Sequence, residues 1–342
     1  MKKVKEKVQI ISAIYKCIFK NISLRETMLI CIILFASQGT GVSQEGNLEP
    51  LEYNREQLVK MAVQGEIADT RMSYPPYRIG ADGELKVLPG SRGITYNFRT
   101  GDSAVDLAGD HVEPAVSISH PEGRQTGECR GLNFLATIGN KAKIITGDAK
   151  GETGYVIGKH SDDRVMVDFK NDEVFEKLTL NDRMQIKAYG VGIELTNIEG
   201  VKAMNISPRL IEALTDAGMG VTEEGNLRVE IAKKVPAKIM GSGLGRRHSH
   251  LGDYDIQMFD EEVVEKYGLD ELRFGDIVAI INADVSYGRI YKTGAVTIGV
   301  ISHSNSVNAG HGPGVTTIFT STEGNIETVM NPRANLKHLL LE

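Results

Sequence analysis

The chain has no tryptophan, only three cysteines and 6% aromatic residues in 342 positions. Two of the cysteines, Cys17 and Cys31, precede residue 44, which leaves Cys129 alone in the body of the protein. A disulfide framework and a cysteine-based zinc site are thereby excluded there. The neighbours Glu128 and Arg130 give Cys129 no local base, so nothing marks it as a nucleophile. No apolar run is long enough to span a bilayer: residues 28–36 are nine uncharged apolar residues, against the roughly 20 that a spanning helix needs. A surplus of positive charge is missing too. The formal charge is −6, and because residues 1–26 hold seven Lys/Arg and two acids, the rest of the chain carries −11. A field of that sign excludes nonspecific nucleic-acid binding by the body as a whole. Present instead are 41% apolar residues, ample for a core, and 37 glycines, which point to many turns and close backbone packing.

The N-terminal 53 residues read as a leader. The apolar stretch 28–36 follows Lys20 and Arg25 and precedes the small residues Gly41-Val42-Ser43, the layout of a secretory signal cleaved near residue 43. On that reading the protein is exported or periplasmic. The alternatives are a cytoplasmic product with a spurious upstream start, or an uncleaved anchor.

Beyond the leader, helix signals are few. Ser207 with Pro208 opens a helix whose Leu210, Ile211 and Leu214 share a face and which Gly218 stops. Asp260 caps a second, with Val263, Val264 and Tyr267 inward and Gly268 at its end. Asn331-Pro332 opens a last one carrying Leu336, Leu339 and Leu340, and residues 55–62 offer one or two further turns. Strands dominate elsewhere. Between Gly139 and Gly190, Ile144-Ile145, Tyr155-Val156-Ile157, Val165/Val167/Phe169 and Met184/Ile186/Ala188 form four closely spaced alternating runs, which predict a small barrel. The segment 145–156 resembles the glycine-centred hairpin of KOW-type ribosomal and transcription-factor barrels. Nine Lys/Arg against nine Asp/Glu over 139–190 leave no phosphate-neutralising excess for the RNA binding that this likeness would imply.

A broader resemblance rests on six strings in order: Gly109-Asp110-His111-Val112-Glu113-Pro114, Gly147-Asp148-Ala149-Lys150-Gly151, Gly158-Lys159-His160, Met240-Gly241-Ser242-Gly243, Asp253-Tyr254-Asp255-Ile256 and Ala309-Gly310-His311-Gly312-Pro313-Gly314-Val315. In these the chain resembles the prokaryotic proteins grouped as domain of unknown function 4438, over roughly residues 54–341. The resemblance implies a β-rich architecture of several parts and no established reaction. The expected fold is mainly β with a few short helices: a small SH3-like barrel at 139–190 within an N-terminal β-rich domain (54–193), and a second β-rich domain (194–342) packed against it.

Three histidine-bearing strings could carry chemistry. If residues 110–113 are extended, His111 and Glu113 face one way and can share a metal or act as base and orienter. The string Arg246-Arg247-His248-Ser249-His250 sets two imidazoles on one side of a strand, and Asp253 could add an oxygen ligand. The 241–245 glycine loop beside Arg246 could cradle an anion. His303 ends a strong strand, and His311 stands on a Gly/Pro loop, well placed to meet a ligand. Lys150 and Lys159, flanked by glycine, are candidate anion contacts. The expected protein is a small-molecule enzyme or binding protein with His111, Glu113 and His311 at an interdomain site, its expected chemistry a hydrolysis assisted by a divalent metal. Its rival is a non-catalytic interaction or assembly module that forms homo-oligomers, with the histidines structural.

Overall fold

The computed structural model describes residues 48–70, 72 and 75–342, so the signal segment read within the 1–53 leader, ending near residue 43, lies outside the described residues. The N-terminal half contributes β1 (Met61–Ile67), the small pair β2 (Arg78–Ile79) and β3 (Leu85–Lys86), then β4 (Ile94–Thr95) and β5 (Ala115–Ser119). Helix α1 (Gly127–Leu135) follows, and β6 (Lys141–Ile144), β7 (Thr153–His160), β8 (Arg164–Phe169) and β9 (Arg183–Ala188) complete the half. The four runs read between Gly139 and Gly190 are β6 to β9. They do not close on themselves, since four short strands leave two open edges. Two upstream strands supply the closure: the order is β1-β9-β6-β7-β8-β5, and β5 pairs back onto β1 at Glu66↔Ser119 and Ile67↔Ile118. The result is a closed six-stranded barrel filled by Ile118, Ile144, Val156, Val167, Met184 and Ile186. Alternation along β6 shows the cause, with Lys141 and Lys143 exposed and Ala142 and Ile144 buried.

The C-terminal half contains β10 (Val201–Ala203), α2 (Pro208–Asp216), β11 (Gly220–Val221), β12 (Leu227–Ile231), β13 (Lys233–Pro236) and β14 (Tyr254–Asp255). After α3 (Glu261–Tyr267) come β15 (Ile277–Asp284), β16 (Ile290–His303), β17 (Gly314–Ser321) and β18 (Ile326–Met330). Its main sheet runs β10-β17-β16-β15-β13, with β14 also on β17. A smaller sheet, β11-β12-β18, pairs β12 and β18 in parallel. No helix among the described residues is long and apolar enough to cross a membrane.

The helices behave as their caps dictate. Ser207 accepts from the Leu210 amide, Pro208 occupies the first turn, and Leu210, Ile211 and Leu214 are buried. Ser207→Ala should cost about 1 kcal/mol, read by chemical denaturation. Asp260 caps α3, and Gly268 closes it in the left-handed conformation at φ 60°. Helix α1 escaped the sequence reading because it carries only two buried apolar side chains, Cys129 and Leu132, too few for a visible stripe. Residues 55–57 form a single 3₁₀ turn before β1, and the last helical turn is Lys337–Leu341.

The halves join through β7 and β16. Ile157 and Met166 of the barrel share a core with Ile298 and Val300 of the main sheet. A Cβ on Gly158 would lie 2.7 Å from the Ser302 Cβ, so glycine is what lets the two strands come this close. Lys159 is pinned at the same place, its amide donating to Thr316 Oγ1 at 3.0 Å and its carbonyl accepting from that hydroxyl at 3.1 Å. The consequence is that His160, at the end of β7, lies beside His303, at the end of β16.

Candidate metal centre

Four stretches of chain converge at this junction. The loop before β5 brings Asp110, His111 and Glu113, β7 brings His160, β14 and the residue but one before its end bring Asp255 and Asp253, and the β16–β17 connection brings His303 and His311. Asp253 and Asp255 share a side because they are two apart in extended chain. Buried Arg289 holds that chain in place by donating to the Asp253 carbonyl and, at 2.9 Å, to the Leu251 carbonyl.

The donors fall into two groups. In the outer one, His111 Nε2 is 3.0 Å from His311 Nδ1, His311 Nδ1 is 3.0 Å from Asp255 Oδ2, and His111 Nε2 is 3.8 Å from that same oxygen. In the inner one, His160, Asp253 and His303 are all buried, with His303 Nε2 2.7 Å from Asp253 Oδ2. Asp255 also turns its other oxygen toward the inner group, with Oδ1 3.7 Å from His303 Nε2. The His160 and His303 rings are 4.0 Å apart between centroids.

Three of the four imidazoles are held by the far nitrogen. His303 Nδ1 donates to the Ser304 carbonyl at 2.9 Å, His160 Nδ1 donates to Glu113, and His111 Nδ1 lies 3.3 Å from Asp110 Oδ2. Tethers of this kind fix the tautomer and aim Nε2 inward, as they do for metal-bound histidines. Glu113 serves wholly as an anchor. It accepts from His160, Arg164 Nε, Ser117 Oγ and the Arg92 amide, which uses up its capacity. His111 has φ +55°, so the extended geometry expected for 110–113 is absent and Glu113 does not share its face.

Electrostatics follow from burial and opposed charge. Burial works against ionisation of Asp253, yet the positive charge of the adjoining His303 holds its carboxyl below the usual range. Asp255 is likewise held down to about 2 despite burial, through the neighbouring His303 and its 3.0 Å contact with His311. Burial also opposes the His303 charge, but the two aspartates outweigh it and push His303 well above its ordinary value. His160 goes well below, through burial first and the neighbouring His303 charge second. Burial opposes Asp110 too, but bonds from His111 and Ser306 keep its carboxyl low.

Gly314 completes the floor. A Cβ there would fall 2.2 Å from both Asp253 Oδ2 and His303 Nε2. Gly314→Ala should therefore displace the inner pair and weaken any ion held by it by tenfold or more, measured by metal titration of the purified variant.

The structure brings His111, His311, His303 and Asp253 together, but not all with the partners their spacing suggested. Asp253 meets His160 and His303 rather than His248 and His250. Residues 241–250 turn instead of forming a strand, leaving His248 exposed and His250 against the Phe134 ring. Glycines 241, 243 and 245 and the Leu251-Gly252 bend are the reason, since they break the alternation that a His-x-His ligand pair requires. Lys159 is fully buried, which pushes its amine down to about 7, and it is occupied by Asn205 Oδ1, the His250 carbonyl and the Phe134 carbonyl. Arg246 is half exposed and pairs with Asp162, and Lys150 is exposed on the β6–β7 turn. His160 and Asp255 were not assigned to the site from sequence, although both stand in strings that carry the family resemblance, Gly158-Lys159-His160 and Asp253-Tyr254-Asp255-Ile256. Neither string by itself says that the two residues meet.

Models of the two halves of one family match this chain: domain of unknown function (DUF4438), N-terminal, at residues 77–212, and domain of unknown function (DUF4438), C-terminal, at residues 218–340. No curated protein matched. The solved crystal structure of TM1086 is 43% identical, with a TM-score of 0.78 over 84% of this chain and 99% of its own. With both halves matched in order and a solved relative at this identity, the chain belongs to the DUF4438 family.

Proposed function

We propose that the cluster binds a divalent transition metal and that the protein is a metal-assisted hydrolase of a small molecule. One observation carries the metal reading. Because His303 Nδ1 donates to a carbonyl, Nε2 is the ring nitrogen turned to Asp253 Oδ2, 2.7 Å away. Both atoms are buried, and apart from each other neither has a hydrogen-bond partner among the described residues. Two facing acceptors need a cation between them, a proton or a metal ion. A single proton would satisfy that pair, but it leaves unexplained why three further donors, His111, His311 and Asp255, close to within 4.8 Å of one another next to it. Imidazole and carboxylate together suit zinc, manganese or iron.

Hydrolysis follows from access. The His311 side chain is 37% exposed while the inner histidines are buried, so water and substrate would enter from the His311 side. A bound ion there acts as a Lewis acid and lowers the pKa of a coordinated water to about 7. The acidic body favours neutral or cationic substrates, or anions that the metal itself neutralises. Elemental analysis after incubation with zinc, manganese or cobalt tests the metal reading. Stoichiometric metal in the wild type, reduced in folded Asp253→Asn, is expected; a wild type that retains none overturns it. Metal-stimulated cleavage across a panel of chromogenic esters, amides and phosphate esters tests the hydrolase reading.

A second reading, assembly of several copies, draws on the β2–β3 pair, where Ile79, Leu85 and Val87 are each more than 60% exposed. A monomer in sedimentation velocity would remove it.

A further inference from the structure

Resting on the metal-centre reading, we infer that the centre holds two ions bridged by Asp255: an inner ion on His160, Asp253 and His303, and an outer ion on His111 and His311. The first argument is spacing. Metal–ligand bonds of about 2.0–2.2 Å in a tetrahedral site put any two donors roughly 3.3–3.5 Å apart. The outer donors stand 3.0, 3.0 and 3.8 Å from one another, a triangle that already fits one ion of its own.

The second argument is donor number. Four imidazoles and two carboxylates exceed what a four-coordinate ion accepts, and they separate into two sets of three. The third is how the rings pair. His160 lies against His303 with centroids 4.0 Å apart, and His111 against His311 at 4.9 Å, whereas His111 and His160 are 5.7 Å apart. The imidazoles thus divide into the same two sets as the donors.

Asp255 links the sets. Its Oδ2 faces His111 and His311, and its Oδ1 faces His303. A carboxylate shared in this way holds two ions about 3.5–4 Å apart, the separation at which a pair can activate a water and a leaving oxygen together. The two positions differ in access. All three inner residues are buried, whereas His111 is 12% and His311 37% exposed in side chain, so the outer ion exchanges and the inner one is retained.

The probe is manganese alone, loaded onto the full chain and read by elemental analysis and electron paramagnetic resonance. Two ions per chain with an exchange-coupled spectrum are expected. His311→Ala, a substitution at a part-exposed position, should fold as the wild type does by thermal melt, bind one ion and show an uncoupled spectrum. Brief chelation of the wild type should remove one equivalent rapidly and the other slowly. One ion per chain in the wild type, or His311→Ala retaining two, overturns the two-ion assignment and leaves the metal centre standing. No ion at all overturns both.

Discussion

Glu113→Ala is expected to destabilise the protein by about 3–5 kcal/mol, the usual cost of removing one partner from a buried ion pair. Glu113 is 2% exposed and Arg164 is 7% exposed, and the carboxylate receives Arg164 Nε together with three other donors. Deleting it leaves a buried guanidinium with the weaker 3.4 Å contact to Asp163 and a 3.2 Å contact to the His160 ring, and removes the carboxylate that orients that ring. Urea denaturation with and without metal reads both effects. Glu113→Gln should recover part of the stability, because an amide keeps one acceptor, while still misdirecting His160. If Glu113→Ala lost less than about 1 kcal/mol, Glu113 would have to be solvated rather than the hub described above.

The second large effect is stabilisation by metal. An ion that binds the folded chain and not the unfolded one adds RT ln(1 + [L]/Kd), about 2.7 kcal/mol at a hundredfold excess over Kd. For a protein of this size that is a rise in Tm of several degrees, visible by scanning calorimetry. His303→Ala should remove the inner ion's share of the rise. The pH dependence has a definite sign. His303 is held well above its ordinary value, so in the metal-free protein it carries a proton at neutral pH that an incoming ion must displace. Lowering the pH keeps that proton in place, so the metal-induced rise should be larger at pH 8 than at pH 6. His160, held well below its ordinary value, is already neutral and adds nothing to this dependence.

Local chemistry made much of the fold legible. Ser207-Pro208 and Asp260 with Gly268 marked two helices because caps and left-handed stops act within one turn of chain. The alternation of Met184, Ile186 and Ala188 marked a barrel strand because a pleat separates neighbours onto opposite faces. Barrel closure was not legible. It depends on pairing β1 with β5 across about fifty residues and with β9 across more than a hundred, and nothing in a strand's own composition names its partner.

The same division runs through the site. The sequence by itself determined which side chains were able to bind a metal: a body with one thiol had to rely on histidine and carboxylate, and the strings around His111, Asp253, His303 and His311 supplied them. It did not determine their company. His248 and His250 were neighbours by spacing and are separated by a glycine-driven turn, whereas His111 and His311, 200 residues apart, sit 3.0 Å from each other. Only the tertiary structure decided this, because the site forms where Gly158 lets β7 press against β16, and a contact made by a missing side chain leaves no pattern along the chain.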